Sequence, residues 1–391
     1  MPKLLQIDAC FNWGSTGKIV EQIGLLAESR GWEVLTAYGR YSNPSKLRRI
    51  KVGNKFFVYE HYFEHRFLDR EGLASRIPTR RMIRQIEKFS PDVVQLHDIH
   101  DHWLNYPMLF EYLKKRHIPI VWTQHDCWSF TGHCCHFVEV PCSKWKNECG
   151  DCPLKKGLRD RSKDNFLLKK QLFAAENNLV LVSVSEWIEG FIKKSFLGTN
   201  RSLVIHNGVD LDVFKPLAKQ IDEGKFRIIA VSGVWSKSKG LEDIIKLREI
   251  LPTEYEITVV GLSEEQQRSL PSGIIGIQRT QNVQQLVNLY SHSDVFINPT
   301  YADTFPTVNL EALACGTPVI TYKTGGSPEA VDENTGIVVP QGDVEALVQA
   351  INHLKNNPLS REDCRRRAVD CFDKNARFMD YINLYNELIQ K

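Results

Sequence analysis

Asp303 and Glu311 are two acidic residues eight positions apart in the segment NPTYADTFPTVNLEALACGTPVITYKTGG, residues 298–326. After Pro306 the apolar residues recur at helical spacing, and Gly316 ends the pattern. A helix that starts between the two acids would bring backbone N–H groups and carboxylates into one short stretch. Carboxylates accept hydrogen bonds from hydroxyl groups, whereas a helix start attracts anions.

The first turn of this predicted helix contains Thr307, Val308 and Asn309. Their N–H groups precede the regular helical hydrogen bonds, and the positive end of the helix dipole lies there, so this turn suits a diphosphate. Glu311, further along, is placed to accept hydrogen bonds from ribose hydroxyls. The segment therefore predicts a sugar-nucleotide site. The alternative is an ordinary surface turn and helix with solvated acids.

A second strand-to-helix turn, VSGVWSKSKGLEDI at residues 231–244, contains two lysines. Lys239 stands beside Gly240 where the strand pattern gives way to a helix, so its ammonium is placed to neutralise the phosphates of the donor. Lys237 is a second candidate for the same role. In the alternative interpretation Lys239 is merely solvated.

Gly14, Ser15, Thr16 and Gly17 occupy the first strand-to-helix turn. Glycine lets a backbone approach a ligand closely and present N–H groups to it. The segment lacks the spacing of a P-loop or of a dinucleotide-binding fingerprint. We expect these four residues to line the donor diphosphate; an ordinary tight turn with a Ser/Thr cap is the alternative.

His97 and His125 each follow a predicted buried strand, and Asp126 comes directly after His125. A neutral imidazole can donate a hydrogen bond to a transferring sugar or to a phosphate. We assign His125 a catalytic role and His97 a structural one. Asp126 would orient His125, bind an acceptor hydroxyl or cap its own loop. For His125 the alternative is a structural hydrogen bond to a carbonyl.

Six of the ten cysteines lie between Cys127 and Cys152. In a cytoplasmic enzyme such a cluster favours zinc over disulfides, and a closed tetrahedral zinc site needs four ligands. The predicted structural zinc ligands are Cys134, Cys142, Cys149 and Cys152, with Cys135 or His136 as substitutes. Reduced free thiols, a disulfide and an iron–sulfur cluster are the alternatives.

Two series of apolar strand patterns, separated by amphipathic helical patterns such as residues 17–30, predict the scaffold for these residues. The strands of the first series are Lys3–Ile7, Trp32–Ala37, Asp92–Leu96, Ile118–Trp122 and Leu179–Val184, and those of the second are Phe226–Val231, Glu256–Val260, Val295–Asn298, Pro318–Thr321 and Gly336–Val339. Continuous apolar strands between helices indicate α/β domains with doubly wound parallel sheets. In such sheets ligands bind beyond the carboxyl ends of the strands.

The two series are separated by VIHNGVDLDVFKP, residues 204–216, and by the polar stretch Leu217–Gly224. We therefore predict a first domain at residues 1–207, with a cysteine-rich insertion at 127–156, and a second domain at residues 208–372.

The composition is that of a globular protein, since 42% of the 391 residues are apolar and 25% are charged. The first apolar run stops at Asp8, which favours a buried strand over a signal peptide. The apolar stretches are also far shorter than a membrane span. We expect a cytoplasmic protein.

Residues 1–210 carry a net charge of +8 and the remaining residues one of −5. The basic residues form two groups: Arg76, Arg80, Arg81, Arg84 and Lys88, and then Lys155, Lys156, Arg159, Arg161, Lys163, Lys169 and Lys170. Such groups can bind anionic lipid headgroups or a lipid-pyrophosphate acceptor, with about 1 kcal/mol for each basic residue near the surface. Peripheral membrane contact is therefore a hypothesis, and solvated helix faces are the alternative.

The stretch from Asp303 to Glu311 resembles the donor-site motif of family-four retaining glycosyltransferases, which have the GT-B fold. That motif is Glu, seven residues, Glu; here Asp303 takes the first place, and Thr304-Phe305-Pro306 replaces the usual Gly-Phe-Gly. Val234 stands where members often carry an arginine, five residues before Lys239. The resemblance extends over nearly the whole chain. Within the family it is to the branch that builds capsular, exopolysaccharide or colanic-acid-type repeat units.

This resemblance implies two Rossmann-like domains that face a central cleft, with the terminal helix, residues 373–391, packed back on the first domain. It implies transfer of a sugar, with retention, from a UDP- or GDP-sugar to a lipid-linked or oligosaccharide acceptor. His125 resembles the active-site histidine of the family, Lys239 would neutralise the departing diphosphate, and Asp303 would hold sugar hydroxyls. The acceptor would attack from the leaving-group side, a route that requires no cofactor.

Two other functions are consistent with parts of the sequence. A GT-B sugar-nucleotide epimerase would use the same donor site without an acceptor. A zinc-dependent interaction module would use residues 127–152 to bind a partner. Because no nucleic-acid fold signature accompanies the cysteines, nucleic acid is not an expected partner.

Overall fold

The computed structural model describes residues 1–137, 140, 142–155, 158–174, 178–218 and 224–390. It divides into two compact units: unit 1 is Met1–Ile205 together with the C-terminal segment from Phe378, and unit 2 is His206–Arg377. Residues 219–223 of the predicted polar linker, and Lys156 of the second basic group, lie outside the described residues.

Unit 1 has seven strands with helices between them. In chain order its elements are β1 (Lys3–Asp8), α1 (Gly14–Ser29), β2 (Glu33–Tyr38), β3 (Arg48–Lys51), α2 (Lys55–Leu68), α3 (Arg76–Phe89), β4 (Val93–Leu96), α4 (Tyr106–Arg116), β5 (Ile120–Gln124), α5 (Ser162–Phe173), β6 (Leu179–Ser183), α6 (Glu186–Ile192) and β7 (Arg201–Val204). The strands pair in parallel in the order β3-β2-β1-β4-β5-β6-β7.

Both faces of the unit 1 sheet are buried. Along β1, Leu5 and Ile7 pack into one hydrophobic cluster, whereas Leu4 packs into the other. Along β5, Trp122 and Val121 divide in the same way. Because successive side chains of a strand point to opposite faces, a sheet covered on both faces favours apolar residues at successive positions of its strands. This preference explains the continuous apolar runs of the sequence.

Unit 2 repeats the pattern with six strands. Its elements are β8 (Phe226–Val231), α7 (Leu241–Ile250), β9 (Tyr255–Val260), α8 (Glu264–Ser269), β10 (Ile274–Ile277), α9 (Val283–His292), β11 (Val295–Asn298), α10 (Thr307–Ala314), β12 (Val319–Tyr322), β13 (Gly336–Val339), α11 (Val344–Asn356) and α12 (Arg361–Phe372). The order of its parallel sheet is β10-β9-β8-β11-β12-β13. The prediction of doubly wound parallel sheets is confirmed.

The last helix, α13 (Lys374–Ile389), begins in unit 2 and continues in unit 1. Its first residue is held in unit 2, where the Lys374 ammonium lies 2.5 Å from the Asp210 carboxylate. Further along, Phe378, Tyr381 and Tyr385 are buried in the unit 1 cluster that contains Leu4. The chain therefore returns to unit 1 within α13.

Each sheet has one point where the order of the strands reverses. From β1 the chain proceeds outward to β2 and β3 and then returns to place β4 on the other side of β1. From β8 it proceeds to β9 and β10 and returns to place β11 beside β8. Ligands of open α/β sheets bind at the carboxyl ends of such strand pairs. Ligands are therefore expected at the loops after β1 and β4, and at those after β8 and β11.

Among the described residues, no helix combines the length and the apolar character needed to cross a membrane.

Candidate active site

The strand reversal of unit 2 brings Lys239 and Asp303 together. Lys239 lies in a 3₁₀ turn after β8, and Asp303 lies in the loop after the neighbouring strand β11. The Lys239 ammonium donates to the Asp303 carboxylate at 2.7 Å and to the carbonyl of Ala302 at 3.3 Å. Their side chains are 29% and 24% exposed, so both can be reached by a ligand. The structure thus places two predicted site residues in direct contact.

Gly240 allows this contact because the turn lies against the end of β11. It has a φ of +77°, and a Cβ there would come within 2.1 Å of the carbonyl oxygen of Pro299. The carbonyl of Ser238 also accepts a hydrogen bond from the N–H of Tyr301 at 2.7 Å. The two loops are therefore joined through their backbones, which fixes the position of Lys239 relative to Asp303.

The turn KTGGSPE, residues 323–329, packs against the other side of Asp303. A Cβ on Gly325 would come within 1.7 Å of the Asp303 carbonyl oxygen, so only glycine permits this approach. The N–H of Gly326 donates to the carbonyl of Thr304 at 3.1 Å. The carboxylate of Glu329 at the end of the turn lies 2.9 Å from His206 Nε2.

Helix α10 begins at Thr307, directly after the loop that contains Asp303. Its N-cap residue is Pro306, whose side chain has no hydrogen-bonding atom, so Thr307 and Val308 present backbone N–H groups at the helix start. Asn309 differs because its side chain is buried and accepts a hydrogen bond from Asn298 at 2.8 Å. Among the three predicted donor-binding residues of this turn, Asn309 thus has a side chain that is bound to the last residue of β11.

Glu311 lies one turn into α10, and its partner differs from that of Asp303. The hydroxyl of Tyr290, in α9, donates to Glu311 Oε2 at 3.2 Å. Burial chiefly raises the pKa of Tyr290 well above its usual value, and the Glu311 carboxylate adds to the effect. The other predicted residue, Lys237, is exposed at the surface of the 3₁₀ turn. The roles of Glu311 and Lys237 as donor ligands stay predictions.

The strand reversal of unit 1 brings together two carboxyl groups that the sequence analysis did not single out. Asp8 ends β1, and its buried carboxylate accepts a hydrogen bond from the N–H of Asp98, after β4, at 3.0 Å. Burial and then the Asp98 carboxylate raise the pKa of Asp8 well above its usual value, and burial chiefly raises that of Asp98. Polar residues that directly follow buried strands were the signal for both.

The predicted glycine turn of unit 1 is the first turn of α1, which starts at Gly14 and not at Gly17 as predicted. Gly14 and Ser15 are exposed, and the Thr16 hydroxyl bonds to the Asp98 carboxylate. Gly17 is buried, and a Cβ there would come within 3.1 Å of the carbonyl of Cys10. The helix start therefore lies beside the carboxyl pair.

Among the described residues, His125, after β5, contacts the His97 ring and no backbone carbonyl. His97 Nδ1 and His125 Nε2 are 2.9 Å apart, and the two rings are stacked at a centroid distance of 5.2 Å. Burial lowers the pKa of both imidazoles, that of His97 most strongly. Both rings are therefore neutral near pH 7, which is the state required for one to donate and the other to accept.

Asp126 does not orient His125; it caps its own loop and binds another histidine. It accepts from the N–H of Trp128 at 2.8 Å and lies 2.9 Å from His100 Nε2. Burial favours the neutral forms of both groups, but their neighbours outweigh it: His100 lowers the pKa of Asp126, and Cys135 together with Asp126 raises the pKa of His100. His100 had no assigned role in the sequence analysis.

The cysteines of the insertion are free thiols. The four predicted zinc ligands, Cys134, Cys142, Cys149 and Cys152, all line one small cavity of about 20 Å³. Burial, and to a smaller extent the neighbouring sulfurs, raises the pKa of Cys134 to about 11 and that of Cys149 to about 12. His133, which was not among the predicted ligands, lies beside this cavity with its Nε2 3.1 Å from Cys152 Sγ.

Lys169 was assigned to a basic surface, and this assignment is wrong. Its ammonium is buried beneath the loop that follows β5, where it donates to the carbonyls of Trp128 and Thr131 at 2.6 and 3.1 Å. It also lies 3.4 Å from the centre of the Trp128 ring. Burial lowers the pKa of Lys169 to about 8. The side chain supports the loop instead of facing solvent.

Comparison with protein families assigns both halves of the chain. The model named Glycosyltransferase Family 4 matches residues 18–213, about half of the chain, and the model named Glycosyl transferases group 1 matches residues 215–370. The chain belongs to glycosyltransferase family 4.

Two relatives of this glycosyltransferase differ in how much of it they cover. A putative colanic acid biosynthesis glycosyl transferase, WcaC of Escherichia coli K12, is 25% identical over 76% of this chain and 77% of its own length. D-inositol 3-phosphate glycosyltransferase of Mycobacteroides abscessus is 31% identical, but over 39% of this chain and 38% of its own length.

Solved structures confirm the GT-B fold of this glycosyltransferase. Sucrose-phosphate synthase from Thermosynechococcus elongatus superposes with a TM-score of 0.75 at 18% identity, covering 100% of both chains. HepE of Anabaena, solved in complex with UDP-glucose, gives a TM-score of 0.67 at 14% identity over 98% of this chain and 99% of its own. At these identities the likeness shows the fold alone.

Proposed function

We propose that this glycosyltransferase moves a sugar, with retention of anomeric configuration, from a nucleoside diphosphate sugar to a lipid-linked or oligosaccharide acceptor. The observation that carries the proposal is the contact of Lys239 with Asp303 at the strand reversal of unit 2, directly before the start of α10. A cation, a carboxylate and a helix start within one site match the three parts of a sugar diphosphate: its charge, its hydroxyls and its phosphate oxygens.

In this proposal each group has a separate task during transfer. An acceptor hydroxyl attacks the anomeric carbon while the bond from that carbon to the diphosphate oxygen breaks, and the hydroxyl proton passes to a diphosphate oxygen. Lys239 and the N–H groups of Thr307 and Val308 stabilise the growing negative charge on the diphosphate. Asp303 accepts hydrogen bonds from sugar hydroxyls. The role of His125 as a donor to the sugar or to a phosphate stays a prediction from the sequence.

The relatives support the class of donor and product. HepE was solved with UDP-glucose, which favours a UDP-sugar, with a GDP-sugar as the other candidate. The similarity to a putative colanic acid biosynthesis glycosyl transferase favours a role in surface polysaccharide assembly.

A lipid-linked acceptor requires access to a membrane surface, and α2 and α3 offer one. Five aromatic side chains of α2 are between 46% and 69% exposed: Phe56, Tyr59, Tyr62, Phe63 and Phe67. The five basic residues predicted at 76–88 lie on α3 and are all exposed. Exposed aromatic rings and cationic side chains are features by which a peripheral protein binds anionic lipid. We therefore propose that α2 and α3 form a face that contacts the membrane.

The transferase proposal is tested with a panel of UDP- and GDP-sugars and lipid-linked acceptors. We expect transfer from at least one donor, with a product anomer that matches the donor by ¹H NMR. Asp303→Asn and Glu311→Gln should each lower kcat at least tenfold, whereas Glu345→Gln, on the exposed side of α11, should not. Inversion would contradict the retaining mechanism, and full activity of Asp303→Asn would contradict the site.

The membrane proposal is tested by co-sedimentation with vesicles. The protein should sediment with vesicles that contain phosphatidylglycerol and not with phosphatidylcholine alone. The double variant Arg80→Gln/Arg81→Gln should lose this binding, and Lys194→Gln, elsewhere on the surface of unit 1, should keep it. Equal binding by both variants would rule out this face.

A further inference from the structure

The cysteine-rich insertion closes around a cavity whose walls carry the groups of a metal site. Its four thiols come from three separate points of the insertion, Cys134, Cys142 and the pair Cys149 and Cys152, and all of them border the same cavity. The cavity has a volume of about 20 Å³. A void of this size has room for about one water molecule or one ion.

Two of the sulfurs lie beside groups that can donate hydrogen bonds to thiolates. The backbone N–H of Gly132 donates to Cys149 Sγ. His133 Nε2 lies 3.1 Å from Cys152 Sγ. Donors aimed at sulfur lower the charge density on metal-bound thiolates and hold them in position.

The orientation of His133 is fixed through its other ring nitrogen. Its Nδ1 lies 2.9 Å from the Asp69 carboxylate, and the two side chains are 6% and 4% exposed. Asp69 in turn accepts from the N–H of Arg161 at 2.8 Å. A buried carboxylate, an imidazole and a sulfur in line are the outer support that metal sites use to orient their ligands.

We propose that Cys134, Cys142, Cys149 and Cys152 bind one Zn²⁺ as a closed tetrathiolate site, and that His133, with a proton on each ring nitrogen, donates to the Asp69 carboxylate through Nδ1 and to the Cys152 thiolate through Nε2. Four thiols enter the site and each releases one proton to solvent on binding. The site is structural, since a zinc ion with four protein ligands has no position left for substrate.

Zinc binding draws the four sulfurs closer together. In a tetrahedral site with Zn–S bonds of about 2.3 Å, the sulfurs are about 3.8 Å from one another. Within the described parts of the chain, three other groups have their ligand atoms within 4.8 Å of one another, and the four sulfurs do not form such a group. The insertion therefore contracts around the ion.

Those three other groups are explained by hydrogen bonds. His65 Nδ1 lies 2.6 Å from His102 Nε2, and His100 Nε2 lies 2.9 Å from Asp126. In the third group His133 binds Asp69, while Asp160 accepts from the N–H of Cys152 at 2.7 Å. A shared proton or a backbone donor already occupies the atoms that a cation would need.

The site lies in the same loop as His125. The N–H of Cys127, two residues after His125, donates to the carbonyl of Cys135 at 2.8 Å, and Cys135 is the neighbour of the ligand Cys134. A metal that fixes Cys134 therefore also fixes the segment that begins at His125. This consequence holds whichever substrate the enzyme uses.

The first test measures the metal in wild-type protein purified under reducing conditions, without chelator. Elemental analysis should find one zinc per chain, and X-ray absorption should show four sulfur neighbours at about 2.3 Å. Absence of zinc after incubation with Zn²⁺, disulfides among the four cysteines, or a nitrogen neighbour at about 2.0 Å would overturn the proposal.

Variants distinguish the zinc ligands from His133, which supports one of them. Cys149→Ser should lose zinc, whereas Cys371→Ser, in α12 of unit 2, should retain one equivalent. His133→Gln should keep four sulfur neighbours but bind Zn²⁺ about 10–100-fold more weakly in competition with a chelator. Unchanged affinity in His133→Gln would contradict the supporting role of His133. If Cys149→Ser fails to fold, Co²⁺ substitution of wild-type protein still reports tetrahedral thiolate binding through its visible spectrum.

Discussion

At the residue scale, each strand reversal of this glycosyltransferase brings ionisable side chains into contact. Unit 2 holds an ion pair, Lys239 with Asp303, at a distance of 2.7 Å. Unit 1 holds two neighbouring carboxyl groups, Asp8 and Asp98, and a stacked pair of neutral histidines. Like charges so close favour a shared proton, and burial strengthens that preference.

The Asp8 carboxyl should make the stability of unit 1 depend on pH. Because its pKa is raised in the folded chain, the folded state holds a proton that the unfolded state releases above about pH 4. Stability therefore falls as the pH rises from about 4 through the folded pKa. The Asp8→Asn variant has no carboxyl group at this position, so its stability should not fall in this way. The difference in unfolding free energy between Asp8→Asn and the wild type should therefore grow, in favour of the variant, by up to about 1.4 kcal/mol per pH unit in that range.

Thermal unfolding from pH 4 to pH 8 measures this difference. Glu111→Gln, an exposed site on α4, is the control and should follow the wild type at every pH. A gap between Asp8→Asn and the wild type that stays constant with pH would show that Asp8 does not retain its proton on folding.

The sequence predicted the two residues that meet at the strand reversal of unit 2, but not the two acids that meet at that of unit 1. Lys239 and Asp303 each stand in a recognisable strand-to-helix loop, and the structure joins them. Asp8 and Asp98 were missed because each is a single acid after an apolar strand, and their proximity depends on the order of the strands in the sheet. The pairing of His133 with Cys152 was missed for the same reason: it depends on how the insertion folds.

At the element scale, the central strands were predictable, whereas three of the four edge strands were not. The bounds of β8, β11 and β13 were predicted without error, although β13 lies at a sheet edge. The strands that were missed, β3, β7 and β10, are the other three edge strands. An edge strand pairs on one side and needs fewer apolar residues, and β3 has the sequence RRIK. β13 was predicted because its sequence, GIVV, is apolar throughout.

Helix α5 supports the loop after β5 through Lys169. Lys169→Met removes the donor that binds the carbonyls of Trp128 and Thr131, a loss of about 1–2 kcal/mol of local stability. Amide hydrogen exchange of peptides from residues 125–137 should become about tenfold faster. Lys170→Met changes the exposed neighbour in the same helix and should leave exchange unchanged. Equal exchange in both variants would show that Lys169 does not hold the loop.

At the scale of the whole molecule, the chain forms two units that are each built on one parallel sheet, and α13 begins in one and ends in the other. The two strand series predicted this division because each contains enough apolar strands for its own core. The turn of the chain back into unit 1 was inferred from family resemblance, since the amphipathic pattern of α13 alone does not specify a partner.

Tyr385 tests the dependence of unit 1 on α13. Its side chain is fully buried and meets the ring of Trp32 edge to face at 5.7 Å. Tyr385→Ala should destabilise unit 1 by about 3–5 kcal/mol, measured by calorimetry, because it leaves a cavity in the core. Ile389→Ala, on a partly exposed residue of the same helix, should cost less than about 1.5 kcal/mol.

Tyr385→Phe provides a finer control. Within the described part of the chain the buried hydroxyl of Tyr385 has no hydrogen-bond partner, so its removal should be neutral or stabilising. If Tyr385→Ala were as stable as Tyr385→Phe, α13 would contribute little to unit 1.

The most direct measurement is calorimetric titration of UDP and of GDP into the wild type, Lys239→Met and Lys225→Met. Lys225 precedes the amino end of β8, at the opposite end of the strand from Lys239, and is the matched control. We predict that the wild type binds at least one of the two nucleotides, that Lys239→Met binds it at least about tenfold more weakly through loss of a charge-assisted hydrogen bond, and that Lys225→Met binds it equally well. Failure of both nucleotides to bind the wild type, or equal affinity in Lys239→Met, would contradict a diphosphate site at the strand reversal of unit 2.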